Sequence, residues 1–142
     1  MLKATYDTNI LVSGTTVLQG PIANVINAWI DDEIELITSK PLIDELSETL
    51  QKPYFVSKLS DEQIQSYIDI IKNRATIVPI TTPIPTISKD PDDNVVLATA
   101  ESGTASYVVT GDHQLQEIKQ FKKIKIVSPR KFSEILEEKK AA

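Results

Sequence analysis

Two kinds of apolar periodicity alternate along the chain. Short runs rich in β-branched and aromatic residues predict strands, and the first of these runs leads into Asp7. Longer segments with apolar residues three and four positions apart predict helices between the runs. The predicted strands are residues 2–6, 34–38, 75–80, 106–110 and 124–127.

Residues that favour helix starts stand between these strands. Serine is a good N-cap, proline is tolerated in a first turn, and Ser60 with Gln63 predicts a capping box. The predicted starts are Gly20-Pro21, Ser39, Ser60, Asp93 and Ser128-Pro129. After Asp93, apolar residues lie at i+3, i+4 and i+7, so the carboxylate of Asp93 is predicted to point toward the sheet.

Strands that alternate with helices predict a central parallel β-sheet with right-handed crossovers and helices on both faces. The chain has 142 residues, which suits one domain spanning residues 1–142. Ligands bind at the carboxyl ends of the strands in such sheets. We therefore expect the functional site at that edge.

Composition narrows the chemistry. The chain has no cysteine and one histidine, which excludes thiolate catalysis, zinc–thiolate sites and multi-histidine metal sites. Any metal must be bound by oxygen, which favours Mg²⁺ or Mn²⁺. Neither a leader peptide nor an apolar run long enough to cross a membrane is evident, so we expect a cytoplasmic protein without a membrane partner.

The net charge of −5 argues against general affinity for polyanions. Basic residues are concentrated near the end of the chain, where they are either a solvated surface or a local track for phosphates. The residues considered for RNA binding are Lys119, Lys122, Lys123, Arg130 and Lys131.

Four acidic residues are predicted to meet at the carboxyl edge of the sheet. Asp7 and Asp112 follow strands, whereas Asp93 and Glu45 lie near helix starts that face the same edge. Aspartate is also common in turns and at helix N-termini for structural reasons alone. Crowded carboxylates repel one another unless a cation neutralises them, and such a cation can activate water against a phosphodiester.

The order of the motifs resembles the PIN domain. The motifs are Asp7-Thr8-Asn9, Glu45 in LIDELSETL, Asp93 in DPDDNVVLATA, and Asp112 in VVTGD. The closing SPRKFSEIL is similar to the last helix of the branch of VapC-like toxins from prokaryotic toxin–antitoxin systems.

This resemblance implies a three-layer α/β/α sandwich and a metal-dependent ribonuclease that uses Mg²⁺ or Mn²⁺. By match, Asp7, Glu45, Asp93 and Asp112 are the catalytic and metal-binding quartet. The implied supporting residues are Asn9, Thr110 and Asp90, and either Asp90 or Asp92 could share the metal. The implied partners are an RNA substrate, a cognate antitoxin and a second copy of the chain in a homodimer.

Three other functions remain open at this point. A haloacid-dehalogenase-like phosphatase needs a second aspartate two residues after its nucleophile, where this chain has Asn9. A response-regulator-like module needs adjacent acids after the first strand, where Tyr6 precedes Asp7. A non-catalytic RNA- or protein-binding module with the same fold is the third alternative.

Overall fold

The computed structural model describes residues 1–141, which form six strands and eight helices. The strands are β1 Leu2–Tyr6, β2 Ile34–Thr38, β3 Thr76–Ile77, β4 Tyr107–Val109, β5 Gln120–Phe121 and β6 Ile124–Val127. The helices are α1 Thr8–Ser13, α2 Pro21–Ile30, α3 Lys40–Leu50, α4 Pro53–Val56, α5 Asp61–Arg74, α6 Pro91–Ser102, α7 His113–Ile118 and α8 Pro129–Ala141.

The strands form one sheet in the order β3-β2-β1-β4-β6-β5. All neighbours are parallel except β5, which pairs antiparallel with β6 at the edge. The central strand β1 pairs with β2 on one side and with β4 on the other. The chain reverses its direction of winding at this point, and a crevice outside β1 and β4 is where such sheets bind ligands.

Alternation along β1 separates two cores. Ala4 and Tyr6 lie in the larger core, where the Tyr6 hydroxyl donates 2.7 Å to the carbonyl oxygen of Val25 in α2. The smaller core lies on the other face, where Val108 and Leu97 belong to β4 and α6. Helices on both faces confirm the predicted three-layer α/β/α sandwich.

The helix starts show which sequence signals act as predicted. The predicted capping box of Ser60 and Gln63 is present, with backbone-to-side-chain hydrogen bonds of 2.9 and 3.1 Å. Ser128 also accepts a hydrogen bond from the backbone N–H of Lys131. Ser39 occupies the N-cap position of α3, but its buried hydroxyl pairs with Thr99 in α6 at 2.8 Å instead of capping.

Several short elements differ from the prediction. Strand β3 covers two residues, not residues 75–80, because Pro79 lies just beyond it and offers no N–H for a ladder. The segment directly after Asp7 forms helix α1, which was not predicted from the sequence. The other elements that the sequence did not predict are α4, α7 and β5.

Gly103 is the C-cap of α6, and its φ of −93° is open to any residue. A Cβ atom at this position would collide with Cγ2 of Ile37 in β2. The glycine is therefore needed for the close approach of α6 to the sheet rather than for a left-handed cap.

No helix within residues 1–141 combines the length and apolar character that crossing a bilayer requires.

Candidate functional site

Asp7 lies directly after the central strand and is buried, with 7% of its surface exposed. Its backbone N–H donates to the carbonyl oxygen of Val109, which continues the pairing of β1 with β4 by one residue. Strand alternation places its carboxylate on the α6 face of the sheet. The Thr110 hydroxyl, on the same face, donates 2.7 Å to Oδ2 of Asp7.

Burial raises the pKa of Asp7 above its ordinary value. The hydrogen bond from Thr110 and weaker contributions from the backbone N–H groups of Asn9 and Thr8 oppose this rise. Neither of those backbone groups forms a full capping hydrogen bond with the carboxylate. The negative charge of Asp112 raises the pKa further, so these two carboxylates are close enough to repel each other.

Asp112 is held beside Asp7 by the same threonine. Its backbone N–H donates 3.0 Å to the Thr110 hydroxyl, and its Oδ1 accepts 2.9 Å from the N–H of Gln114 as the N-cap of α7. The side-chain amide of Gln116 donates 2.7 Å to the Thr110 carbonyl oxygen. These bonds fix the turn between β4 and α7, so the position of Asp112 relative to Asp7 is set by the backbone.

Asp93 is the third residue of α6 and is 5% exposed. The Ser88 hydroxyl donates 2.9 Å to its Oδ2. Burial raises the pKa of Asp93 to about 6 against the lowering effect of that bond, and the charges of Asp112, Asp90 and Asp7 raise it further. Asp93 therefore shares one electrostatic environment with both strand-end aspartates.

Glu45 lies at the margin of this group, on α3 and half-buried. The Thr8 hydroxyl donates to its Oε2 at 3.4 Å, a long hydrogen bond. Burial raises its pKa, followed by the charges of Asp92 and Asp7. Glu45 therefore faces the same acidic edge from the α3 side. Among the neighbouring charges, Asp92 has the largest effect on its pKa.

The remaining predicted supports differ in their placement. Thr110 bridges Asp7 and Asp112, as described above. Asp90 is the N-cap of α6 and accepts 2.9 Å from the N–H of Asp92. Asn9 is exposed and reaches the carboxylate of Asp7 only through its backbone.

The predicted basic track is divided between two edges of the sheet. Arg130 and Lys131 start α8 just after the carboxyl end of β6, on the side of the aspartates. Lys122 and Lys123 form the β5–β6 turn at the opposite edge, where Lys122 pairs with Glu101 at the far end of α6. Lys119 lies beside the middle of β6, where its carbonyl oxygen accepts from Ile126. The structure thus does not bring Lys119, Lys122 and Lys123 to the acidic site.

Ser88 and Asn94 support the candidate site but were not predicted from the sequence. The Asn94 side chain makes two hydrogen bonds to the backbone of Ser88, accepting from its N–H at 3.0 Å and donating to its carbonyl oxygen at 2.9 Å. Ser88 also accepts from the N–H of Asp90, two residues on, at 3.2 Å. A serine two residues before an N-cap is the sequence signal for such a turn.

The donor set fits a hard divalent cation in its chemistry. Its members are carboxylates, with hydroxyls behind them, and the raised pKa values show charge that a cation would neutralise. Within residues 1–141, however, no three acidic or histidine side chains stand close enough together to share one ion. The donor set therefore matches such a cation in its chemistry, whereas the spacing of the side chains in this structure does not form a three-carboxylate site.

Comparison with known proteins finds one matching family model and several structures of similar fold. A family model described as PIN domain matches residues 3–114, a range that contains all four candidate acids. No curated protein matches the chain. Solved structures with a similar fold include three that share less than 20% sequence identity with this chain.

The first of these is VapBC2 from Rickettsia felis bound to a DNA fragment from its promoter, with 19% identity and a TM-score of 0.57 over 89% of this chain and 98% of that one. PAE2754 from Pyrobaculum aerophilum has 14% identity and a TM-score of 0.62, covering 96% of this chain and 90% of that one. FitAcB from Neisseria gonorrhoeae has 16% identity and a TM-score of 0.58, covering 89% and 98%.

Proposed function

Because the chain belongs to the PIN domain family, we propose that it is a ribonuclease dependent on Mg²⁺ or Mn²⁺ and the toxin component of a toxin–antitoxin pair. One observation carries the proposal. Asp7, Asp93 and Asp112 come from three separate elements and converge at the carboxyl edge of the sheet, where the charge of Asp112 raises the pKa of both Asp7 and Asp93 and the charge of Asp7 raises that of Asp93. Acids without a binding role would gain stability by separating.

Asp7, Glu45, Asp93 and Asp112 would hold the ion. When bound, a divalent cation lowers the pKa of a water molecule and stabilises negative charge on a phosphate oxygen. Thr110 orients Asp7 by donating to one oxygen, which leaves the other free to bind. Ser88 does the same for Asp93. Such outer hydrogen bonds fix the direction of a carboxylate and tune its affinity for metal.

A buried aspartate with a pKa of about 6 is partly protonated near neutral pH. Asp93 would have to be ionised to hold a cation, so metal binding should weaken as the pH falls below 6. Oxygen ligands alone, with one histidine in the whole chain, favour Mg²⁺ or Mn²⁺ over softer metals.

The substrate proposal rests on local charge. Arg130 and Lys131 are exposed beside the acidic edge, and two cations there suit phosphates on either side of a bound ion. The net charge of −5 disfavours general affinity for nucleic acid over the whole surface. We therefore propose RNA binding that is confined to this edge rather than spread over the molecule.

The partner proposals come from the likeness to VapBC2 and FitAcB and from the resemblance to VapC-like toxins. A cognate antitoxin would bind this chain in the cell and keep the nuclease inactive. A homodimer and a cytoplasmic location stay predictions of the same kind.

Incubation of the protein with structured and unstructured RNAs, with Mn²⁺ or with EDTA, tests the proposed reaction. We expect cleavage only with Mn²⁺, its loss in Asp93→Asn, and its retention in the matched control Asp69→Asn, which changes an exposed aspartate on α5. Phosphate release from small phosphate esters without RNA cleavage would favour a phosphatase. RNA binding without cleavage under all conditions would favour a non-catalytic module.

A further inference from the structure

A cleft of about 330 Å³ opens beside the candidate site. One wall belongs to the segment before α6 and the other to α7. The lining residues are Ile87, Ser88, Lys89, Gln114, Glu117 and Ile118. Both walls are bonded to the carboxylates, because Ser88 donates to Asp93 and the backbone N–H of Gln114 donates to Asp112. A ligand in this cleft would therefore lie next to the proposed metal ligands.

Both walls of the cleft are held in place by side-chain hydrogen bonds to the backbone. Asn94, 6% exposed, makes two hydrogen bonds to the backbone of Ser88 and so attaches the first wall to α6. Gln116 attaches α7 to the carbonyl oxygen of Thr110 by a bond of 2.7 Å. A cleft whose walls are fixed before the ligand arrives loses little entropy on binding.

The side chains that line the cleft include charged, amide and apolar groups. Within residues 1–141, neither Lys89 nor Glu117 forms an ion pair, although both are exposed and carry opposite charges. Ile87 is 51% exposed, so part of an apolar side chain faces water at the rim. Gln114 adds an amide that can both donate and accept.

These groups match a flat ring with hydrogen-bonding atoms on its edge. Apolar side chains cover the ring faces, while an ammonium, a carboxylate and an amide read the acceptors and donors around it. An unpaired nucleobase is such a ring, and single-stranded RNA is recognised through bases that are splayed out in this way. The volume is at the small end for ligand sites and is enough for one base with its sugar.

We propose that this cleft binds one unpaired RNA base next to the cleaved bond, and that Glu117 selects bases with an exocyclic amino group. The inference rests on the proposed ribonuclease function. A carboxylate only accepts hydrogen bonds, so it binds the amino groups of cytosine, adenine and guanine. Uracil has no exocyclic amino group, and its single N3–H donor lies between two carbonyl oxygens that repel the carboxylate. Lys89 donates to a base carbonyl or to the adjacent phosphate.

Titration of the metal-free, ¹⁵N-labelled wild-type protein with cytidine, adenosine or uridine, followed by NMR, tests the cleft without any cleavage. Cytidine and adenosine should shift the amide signals of the lining residues, with uridine binding about tenfold more weakly, the value of one hydrogen bond to a charged group. Glu117→Ala should abolish the difference between cytidine and uridine. Glu138→Ala, which removes an exposed glutamate near the end of α8, should preserve it.

Failure of the inference and failure of the ribonuclease proposal give different results. RNA cleavage together with no shift of the lining amides would overturn the base cleft and leave the nuclease standing. Equal affinity for cytidine and uridine, or unchanged selectivity in Glu117→Ala, would overturn the role of Glu117. Selective shifts in a protein that cuts no RNA would support the cleft and contradict the nuclease.

Discussion

The Thr110 hydroxyl donates a hydrogen bond of 2.7 Å to Oδ2 of Asp7, although 103 positions separate the two residues along the chain. The Thr110 hydroxyl oxygen also accepts a hydrogen bond from the backbone N–H of Asp112. One buried hydroxyl thus joins the carboxyl ends of two neighbouring parallel strands. It orients the carboxylate of Asp7 and fixes the backbone of Asp112, whose negative charge raises the pKa of Asp7.

Thr110→Val should lower the free energy of unfolding of the metal-free protein by about 1–3 kcal/mol, because the buried carboxylate of Asp7 loses a charge-assisted hydrogen bond. It should also weaken Mn²⁺ binding by about 10-fold or more. Urea denaturation and calorimetric titration measure the two effects.

Thr76→Val is the matched control, since the hydroxyl of Thr76 donates to Glu35 at an exposed position. It should change stability by less than about 0.5 kcal/mol and leave metal binding intact. Equal effects of the two substitutions would contradict the expected contribution of the Thr110 hydroxyl to stability and to metal binding.

The metal-free protein should become more stable as the pH falls from 7.5 toward 5. Burial raises the pKa of Asp93 from its ordinary 3.8 to about 6, and the pKa values of Asp7 and Glu45 also rise. The folded state then binds protons more tightly than the unfolded chain, so stability is lost as the pH rises from about 4 through 6.

Urea midpoints of the wild type and of Asp93→Asn across this pH range measure the effect. The variant removes one of the titrating groups and should show a smaller gain on acidification. Glu101, whose pKa is lowered by its hydrogen bond from Lys122, acts in the opposite direction in both proteins and cancels in the difference. Parallel pH curves for the two proteins would contradict the predicted burial of charge at Asp93.

Gly103→Ala should destabilise the protein by about 1–3 kcal/mol, because the added methyl group meets Ile37 in a packed interface. Gly111→Ala is a suitable comparison, since nothing lies within 4 Å of a Cβ atom there. Thermal unfolding of both variants tests the close approach of α6 to the sheet. A Gly103→Ala protein as stable as the Gly111→Ala protein would refute it.

Charge reversal at the two edges should separate the residues that bind RNA from those that do not. Arg130→Glu with Lys131→Glu should weaken RNA binding and flatten its salt dependence, by about 0.7 in the logarithmic slope for each phosphate that is no longer neutralised. Lys122→Glu with Lys123→Glu should leave both unchanged, because these lysines lie at the far edge. Anisotropy titrations of labelled RNA at several salt concentrations measure both effects. Weaker binding in the Lys122→Glu, Lys123→Glu protein, with unchanged binding in the Arg130→Glu, Lys131→Glu protein, would place the RNA-binding surface at the β5–β6 turn instead.

The main elements of this fold could be predicted from the sequence because their signals are local. Residues 2–6, 34–38 and 124–127 were predicted as strands, and the structure has the same bounds for β1, β2 and β6. The capping box at Ser60 is likewise a local signal. Ser39 shows the limit of such signals, since its hydroxyl finds a partner 60 positions away and the capping bond is not made.

The acids could be placed at one edge of the sheet because the alternation of strands and helices predicted a parallel sheet. The hydrogen bonds that support these acids could not be predicted in the same way. The bond from Ser88 to Asp93 and the clamp from Asn94 depend on the path of an irregular segment that no periodicity describes. The predicted basic residues lie on two edges for a related reason, because the antiparallel turn of β5 and β6 places Lys122 and Lys123 away from Arg130. These basic residues were predicted to form a single surface only because they are close together in the sequence.

Calorimetric titration of Mn²⁺ into the wild type and into Asp93→Asn tests most directly whether the converging acids form a metal site. The account predicts one saturable binding process in the wild type, with proton release near pH 6 that shows as a buffer-dependent enthalpy, and at least tenfold weaker binding in the variant. Absence of saturable binding in the wild type, or equal affinity of the two proteins, would contradict it.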